Sequence, residues 1–193
     1  MIANDVSMID ILKQNLSVQK RIVVTETKLS RAAVLVGIIM QDEKPHLLLT
    51  RRTDEVETHK GQVAFPGGMM EEGETPIVAA MREANEEIDL LPEEIEIIGM
   101  LNDFQTPTGF CITPVVARLI VAHDLTPSSA EVARIFTVPI DVFLEKKYLR
   151  IEERMWKGEM RNLFLYDYDG EIIWGVSEAI IRSLIDVFNG RKR

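Results

Sequence analysis

Glu83, Glu86 and Glu87 fall within five residues of one another, in the stretch TPIVAAMREANEEIDL. On an α-helix, residues three and four apart lie on the same side. At about 100° per residue these three carboxylates span an arc of roughly 100°. Clustered carboxylates repel one another and, left alone, cost stability or take up protons. A hard divalent cation with oxygen ligands resolves the repulsion, and Mg²⁺ or Mn²⁺ suits carboxylates. Arg82, four residues before Glu86, can brace that carboxylate with a charge-assisted hydrogen bond. The same composition also suits a solvated acidic face with an ordinary Arg–Glu pair, because surface helices are often glutamate-rich. The helix itself is well marked. Thr75 is a good N-cap and Pro76 fits the first helical position. Ile77, Met81, Ala84 and Ile88 have the spacing of a core-facing stripe, on the side opposite the glutamates.

The wider spacing separates the two readings. Gly68, Glu74 after five residues, Arg82-Glu83 after seven more, then Glu86-Glu87 and Leu90 resemble the Nudix box, G-x5-E-x7-R-E-U-x-E-E-x-G-U, with U a bulky apolar residue. Asp89 stands where the box has its last glycine, and the small Ala84 follows Arg82-Glu83. Neither departure falls on a metal-ligand position. Asp tolerates the left-handed conformation that a glycine there would adopt better than most residues do. A second pattern lies upstream: Leu48-Leu49-Thr50-Arg51-Arg52, then His59-Lys60-Gly61-Gln62-Val63-Ala64-Phe65-Pro66-Gly67-Gly68. It is similar to the extended motif of the coenzyme A diphosphatase branch of that family, with Thr53 and Val56 in place of the usual Ser and Leu. Thr106-Pro107-Thr108-Gly109-Phe110 and Thr113-Pro114-Val115-Val116 resemble the same branch.

The resemblance implies a metal-dependent hydrolase of diphosphate linkages. Glu83, Glu86 and Glu87 are then metal-ligand candidates, with Mg²⁺ or Mn²⁺ as cofactor. A backbone carbonyl at Gly67 or Gly68 can add a ligand, since glycine lets backbone approach closely. By family analogy Glu74 braces Arg82. The general base stays open between a helix glutamate and a loop carboxylate such as Glu131. Arg51 and Arg52 are adjacent on an expected strand and point to opposite faces; Arg52 matches the branch pattern and is favoured for phosphate. His59 can contact phosphate or cap a loop, and Gln62 can touch substrate or support the turn. Phe65 and Phe110 are expected in the core. The branch implies coenzyme A or a derivative as the small-molecule substrate, cut to adenosine 3′,5′-bisphosphate and 4′-phosphopantetheine or its acyl form. ADP-ribose or another nucleoside diphosphate-linked compound is the alternative within the same chemistry. A non-catalytic ligand sensor is the alternative outside it, although sensors on this scaffold are expected to lose box carboxylates.

Composition narrows the partners. The chain has 193 residues and a net charge of −9, which argues against a nucleic-acid or membrane-surface binder. An anionic substrate must be admitted by local cations. One cysteine, Cys111, precludes an internal disulfide and fits a reduced, cytoplasmic setting. The N-terminus lacks the pattern of a secretion signal. Ala32 to Met40, the longest apolar run, falls far short of the roughly 20 residues that span a bilayer. Oligomeric state is left open, with a homodimer among the options.

Residues 1–193 are expected to form a single Nudix-type domain, with 1–30 as an N-terminal helical and extended addition. Helices are expected at Ser7–Val18, from Thr75, at Asp141–Glu145 and at Val176–Phe188. Strands are expected at Arg31–Gln41, His46–Arg52, Gln62–Phe65, Ile95–Leu101, Cys111–Val121, Glu131–Ile140, Tyr148–Met155 and Arg161–Tyr168. Mixed strands with two main helices make an α+β protein. The resemblance implies an α/β/α sandwich around a mixed sheet.

Overall fold

The computed structural model describes residues 7–54, 60–145, 147–156 and 158–191. Its first long strand is β1 (Ser30–Gln41), whose hydrophobic run leaves Ala33, Leu35, Val36 and Ile38 fully buried. It turns through Asp42 and Glu43, both at positive φ, into β2 (Lys44–Arg52). Two left-handed residues in succession give the turn whose twist matches a hairpin. β3 (Val63–Ala64) pairs with the end of β2, and β4 (Gly67–Met69) pairs antiparallel with β1. After α2 (Pro76–Ile88) come β5 (Ile95–Met100), β6 (Phe104–Gln105), β7 (Phe110–Leu119) and β8 (Val132–Pro139). Among the described residues these form one eight-stranded sheet in which β1 and β7 run parallel and the other pairs antiparallel.

Strand alternation decides what each face carries. Leu48 of β2 turns to one side with Ala33, Leu35, Val115 and Ala117, and α2 packs there through Ala79, Ala80, Ala84 and Ile88. Leu47 and Leu49 turn to the other side with Val36, Ile38 and Val116. That face is covered by α1 (Met8–Val18), through Ile9 and Leu12, and by α4 (Gly175–Phe188), through Ile180, Ile181, Leu184 and Val187. The result is the expected α+β architecture, with helices on both faces of a mixed sheet. The C-terminal strands go further than the expected pair. β9 (Leu149–Trp156), β10 (Glu159–Tyr168) and β11 (Glu171–Trp174) make a separate three-stranded sheet, into which Ile172-Ile173-Trp174 enters as a strand of its own. α3 (Asp141–Leu144) leads into it from β8. No helix of the described residues is long and apolar enough to cross a membrane.

One correction concerns α2. The expected stripe set all three glutamates opposite the core, but Glu87 is only 5% exposed, while Ile77 and Met81 are only partly buried. The reason is the run of small residues. Ala79, Ala80 and Ala84 let the helix backbone come close to the sheet, which rotates the contact face and draws Glu83 and Glu87 over β4.

The segment before β1 is pinned beside β7 by a buried carboxylate. Asp103 accepts from Thr113 Oγ1 at 2.7 Å and from the Val24 N–H at 2.9 Å, and pairs with Arg21. Burial pushes this carboxyl up, but the bonds from Thr113, Val24 and Arg21 outweigh it and hold its pKa below the usual aspartate value. Replacing Asp103 by Ala is expected to lower stability by about 3 kcal/mol, because a part-buried guanidinium loses its counter-charge. Urea unfolding at neutral pH measures it. A loss below ~1 kcal/mol would show that the network does not pin the segment.

Candidate active site

The site begins at the turn between β3 and α2. β4 pairs with β1 in the register Ala33↔Gly68 and Val34↔Gly67, which lays the two glycines beneath α2. Gly67 has φ +152°, and a Cβ there would strike the carbonyl of Ala33. A Cβ on Gly68 would come within 2.6 Å of the Glu83 carboxylate. The space a side chain would fill at either glycine is taken by backbone or by carboxylate. The Gly67 N–H donates to Glu87 Oε2 at 3.1 Å. Thr75 caps α2 through Val78 N, and Asp89 closes it in the left-handed conformation, as expected of both.

Arg82 organises the outer half. Its Nε and Nη2 grip the two oxygens of Glu74 at 2.9 and 3.1 Å, a bidentate pair. Nη2 also donates to the Met69 carbonyl at 3.0 Å. Nη1 donates to Glu83 Oε1 at 2.9 Å and to Glu86 Oε2 at 3.1 Å. Glu74 takes a further bond from the Glu71 N–H at 2.7 Å. These hydrogen bonds hold the Glu74 carboxyl below the usual range and push the Arg82 guanidinium still higher. Arg82 therefore stays charged, with three of its neighbouring carboxylates in one cage.

The inner half is less well neutralised. Burial raises the pKa of Glu83, against the opposing pull of Arg82. Burial lifts Glu87 further, to about 7; the Gly67 N–H and Arg52 oppose this, while the charges of Glu83 and Glu131 add to it. Arg52 Nη1 lies 4.0 Å from Glu87 Oε1, and Arg52 Nε is buried with no hydrogen-bond partner among the described residues. Arg51 turns the other way and lies 3.6 Å from Glu171, so the two arginines do part as strand neighbours should.

Among the described residues, no three acidic, histidine or cysteine side chains converge at metal-ligand spacing. Arg82 Nη1 engages Glu83 and Glu86 together, whereas Glu87 meets Gly67 and Arg52. The structure thus brings Glu74, Arg82, Glu83, Glu86, Glu87, Gly68 and Arg52 into one site. The half-buried Gln62 adjoins it, its carbonyl accepting from the Arg52 N–H at 3.0 Å. His59 lies outside the described residues. Phe65 is buried in the core and Phe110 is half-buried. The Met69 carbonyl, as an acceptor for Arg82, carried no sequence signal, because every residue has one.

The Glu87 shift has a direct consequence for stability. With the folded pKa near 7, above the ordinary glutamate value of 4.5, the folded state binds this proton more tightly. Its contribution to stability is therefore complete below the unfolded pKa and is lost as pH rises through about 7. In chelator, the thermal midpoint is expected to fall between about pH 5 and pH 8, and Glu87→Gln should flatten that fall. An equal fall in the variant would assign the pH dependence elsewhere.

Comparisons with known proteins bear on the family and the fold. The family model described as NUDIX domain matches residues 31–157. An "uncharacterized Nudix hydrolase NudL" of Photorhabdus laumondii is 37% identical over 154 residues, 79% of this chain and 82% of that protein. A protein of the same description from Pectobacterium atrosepticum is 38% identical over 157 residues, 80% of each chain. Among solved structures, the Nudix hydrolase RenU of M. smegmatis superposes with a TM-score of 0.52 at 24% identity, over 60% of this chain and 74% of that one. A MutT/nudix family protein of Enterococcus faecalis does so at 0.52 and 18%, over 96% of this chain and 71% of that one. The structural likenesses speak for the fold and the sequence matches for the family: this chain belongs to the Nudix family and is a Nudix hydrolase.

Proposed function

We propose that the enzyme hydrolyses the diphosphate linkage of coenzyme A or its derivatives, giving adenosine 3′,5′-bisphosphate and 4′-phosphopantetheine or its acyl form, with Mg²⁺ or Mn²⁺ as cofactor and in the cytoplasm. The observation that carries the chemistry is the packing of Glu83 against Gly68, with Glu87 buried beside it. Two carboxylates are held under a helix with too little positive charge to balance them. Support for the substrate class comes from the run His59-Lys60-Gly61-Gln62-Val63-Ala64-Phe65-Pro66-Gly67-Gly68 and its partner Leu48 to Arg52.

The donors suit a hard divalent ion: all are oxygens, and the cradle above Gly68 has no room for a side chain. Glu83, Glu87, the exposed Glu86 and the Gly68 carbonyl would hold it. When bound, such an ion neutralises diphosphate oxygens and lowers the pKa of a coordinated water. The protein's own groups do the rest. Glu74 fixes the plane of the Arg82 guanidinium, and Arg82 orients Glu83 and Glu86. Arg52 offers positive charge to a phosphate oxygen, joined by His59 and Gln62. Glu131 is exposed, and its charge acts on both Glu83 and Glu87. We assign it the proton of the attacking water.

Coenzyme A, 3′-dephospho-coenzyme A and ADP-ribose, each incubated with Mg²⁺ or Mn²⁺ and resolved by mass, test the assignment. Adenosine 3′,5′-bisphosphate should form from coenzyme A faster than AMP from the other two. Preferential cleavage of ADP-ribose would keep the reaction and discard coenzyme A. Glu86→Gln and Glu87→Gln should each lower kcat by about a hundredfold, at or beyond the ~10–100-fold seen for residues that merely support a metal site. Activity surviving both changes would overturn the ligand set. Saturating Mg²⁺ should raise the thermal midpoint, since it binds the folded site alone; an unchanged midpoint would argue against a preformed site.

A further inference from the structure

Between β7 and β8 the chain runs as a strap over the C-terminal end of α2. At one end the Ala122 N–H donates to Glu94 Oε1 at 2.9 Å, and His123 Nε2 lies 3.2 Å from Glu94 Oε2. In the middle, the Thr126 N–H donates to the Ile88 carbonyl at 3.2 Å and the Ser128 N–H to the Glu87 carbonyl at 2.8 Å. These are last-turn carbonyls that the helix cannot satisfy itself. The strap is thus bonded to the backbone of the residue whose carboxylate sits deepest in the site. It ends in a tight turn, with the N–H groups of Glu131 and Val132 both donating to the Ser128 carbonyl.

The far end is held by a residue outside the Nudix box. Thr53, 8% exposed, donates its N–H to the Glu131 carbonyl at 2.9 Å and its Oγ1 hydroxyl to the Ala130 carbonyl at 3.2 Å. The β2–β8 ladder prepares this contact. Arg51 pairs with Arg134, but Arg52 pairs with Val132, so Ala133 is an extra residue on β8. A bulge of this kind redirects a strand and commonly re-aims side chains near a site. Here it brings the Ala130–Glu131 peptide opposite Thr53, one residue beyond the arginine that meets Glu87. The amide bond continues the ladder. The hydroxyl bond does not belong to it, and takes up the carbonyl of Ala130, which lies before β8 begins.

We propose that Thr53 is a positioning residue: it locks the Ala130–Glu131 peptide onto the end of β2 and so sets Glu131 beside the Glu83–Glu87 pair. This rests on the role given to Glu131 above. Thr53→Val keeps the shape and the amide but removes the hydroxyl; Thr53→Ser keeps both donors. Thr53→Val should lower kcat on the fastest-cleaved of the three diphosphates by about tenfold, the lower end for loss of a supporting hydrogen bond, and Thr53→Ser should restore it. KM should stay within about twofold, since Arg52 is untouched. Placed on Glu131→Gln, the Thr53→Val change should cost nothing more, because residues that act through one another are not additive. Wild type, Thr53→Val, Glu131→Gln and the double variant are titrated with Mn²⁺ by electron paramagnetic resonance. Thr53→Val and Glu131→Gln should each weaken binding by about threefold, and the pair by no more than either alone.

Effects that multiply, a wild-type Thr53→Val enzyme, or failure of Thr53→Ser to rescue would each overturn the proposal. If none of the three diphosphates is cleaved, the Mn²⁺ cycle decides alone, and non-additive weakening still supports the lock. The two assignments fail separately. Activity that survives Glu86→Gln and Glu87→Gln removes the ligand set, whereas multiplying Thr53 and Glu131 effects in an enzyme that those changes inactivate remove only the lock.

Discussion

Everything at the site depends on how closely α2 approaches the sheet. Alanines at positions 79, 80 and 84 bring the helix down, and the two glycines of β4 leave room beneath it. Either feature alone would fail. A larger residue on the helix would lift the glutamates away, and a Cβ at Gly68 would collide with the Glu83 carboxylate. The close approach has an electrostatic cost, because a carboxylate taken from water needs hydrogen bonds or a counter-charge. Arg82 supplies both to Glu74, Glu83 and Glu86. Among the described residues Glu87 meets an amide proton and a guanidinium 4.0 Å away, and burial dominates its acidity.

This imbalance reconciles a net charge of −9 with an anionic substrate. The overall field repels phosphate, so the cations that count are local ones. On the function proposed above, Arg52 is the clearest case. Its Nε is buried with no hydrogen-bond partner among the described residues, an unfavourable arrangement for a charged donor unless a further acceptor enters. Arg51, one residue away, is taken up by Glu171 at the junction with the second sheet. Strand alternation alone divides the two arginines between structure and site.

The reach of the sequence can be argued element by element. The ends of α2 were legible, because Thr75, Pro76 and Asp89 act through their own dihedral preferences and local hydrogen bonds. The parting of Arg51 and Arg52 to opposite sides of β2 was legible from strand alternation. The Arg82–Glu86 contact followed from helical spacing, and the grouping of Glu74 with Arg82 followed from the motif. The burial of Glu87 was not legible. A helical wheel ranks faces by hydropathy, and it set the glutamates outward because it has no term for the depth to which alanines let a helix sink.

The sequence by itself therefore determined most of the longer elements, the caps of α2 and the family, since each of these is written in residue type and short-range spacing. Only the tertiary structure decided how deeply Glu87 lies, which oxygens Arg82 grips, that β9, β10 and β11 form a sheet of their own, and that a bulge at Ala133 brings Glu131 opposite Thr53. The physical reason is common to all four. Burial, pairing partner and ladder register depend on contacts between segments tens of residues apart, and those distances are set by how the layers pack.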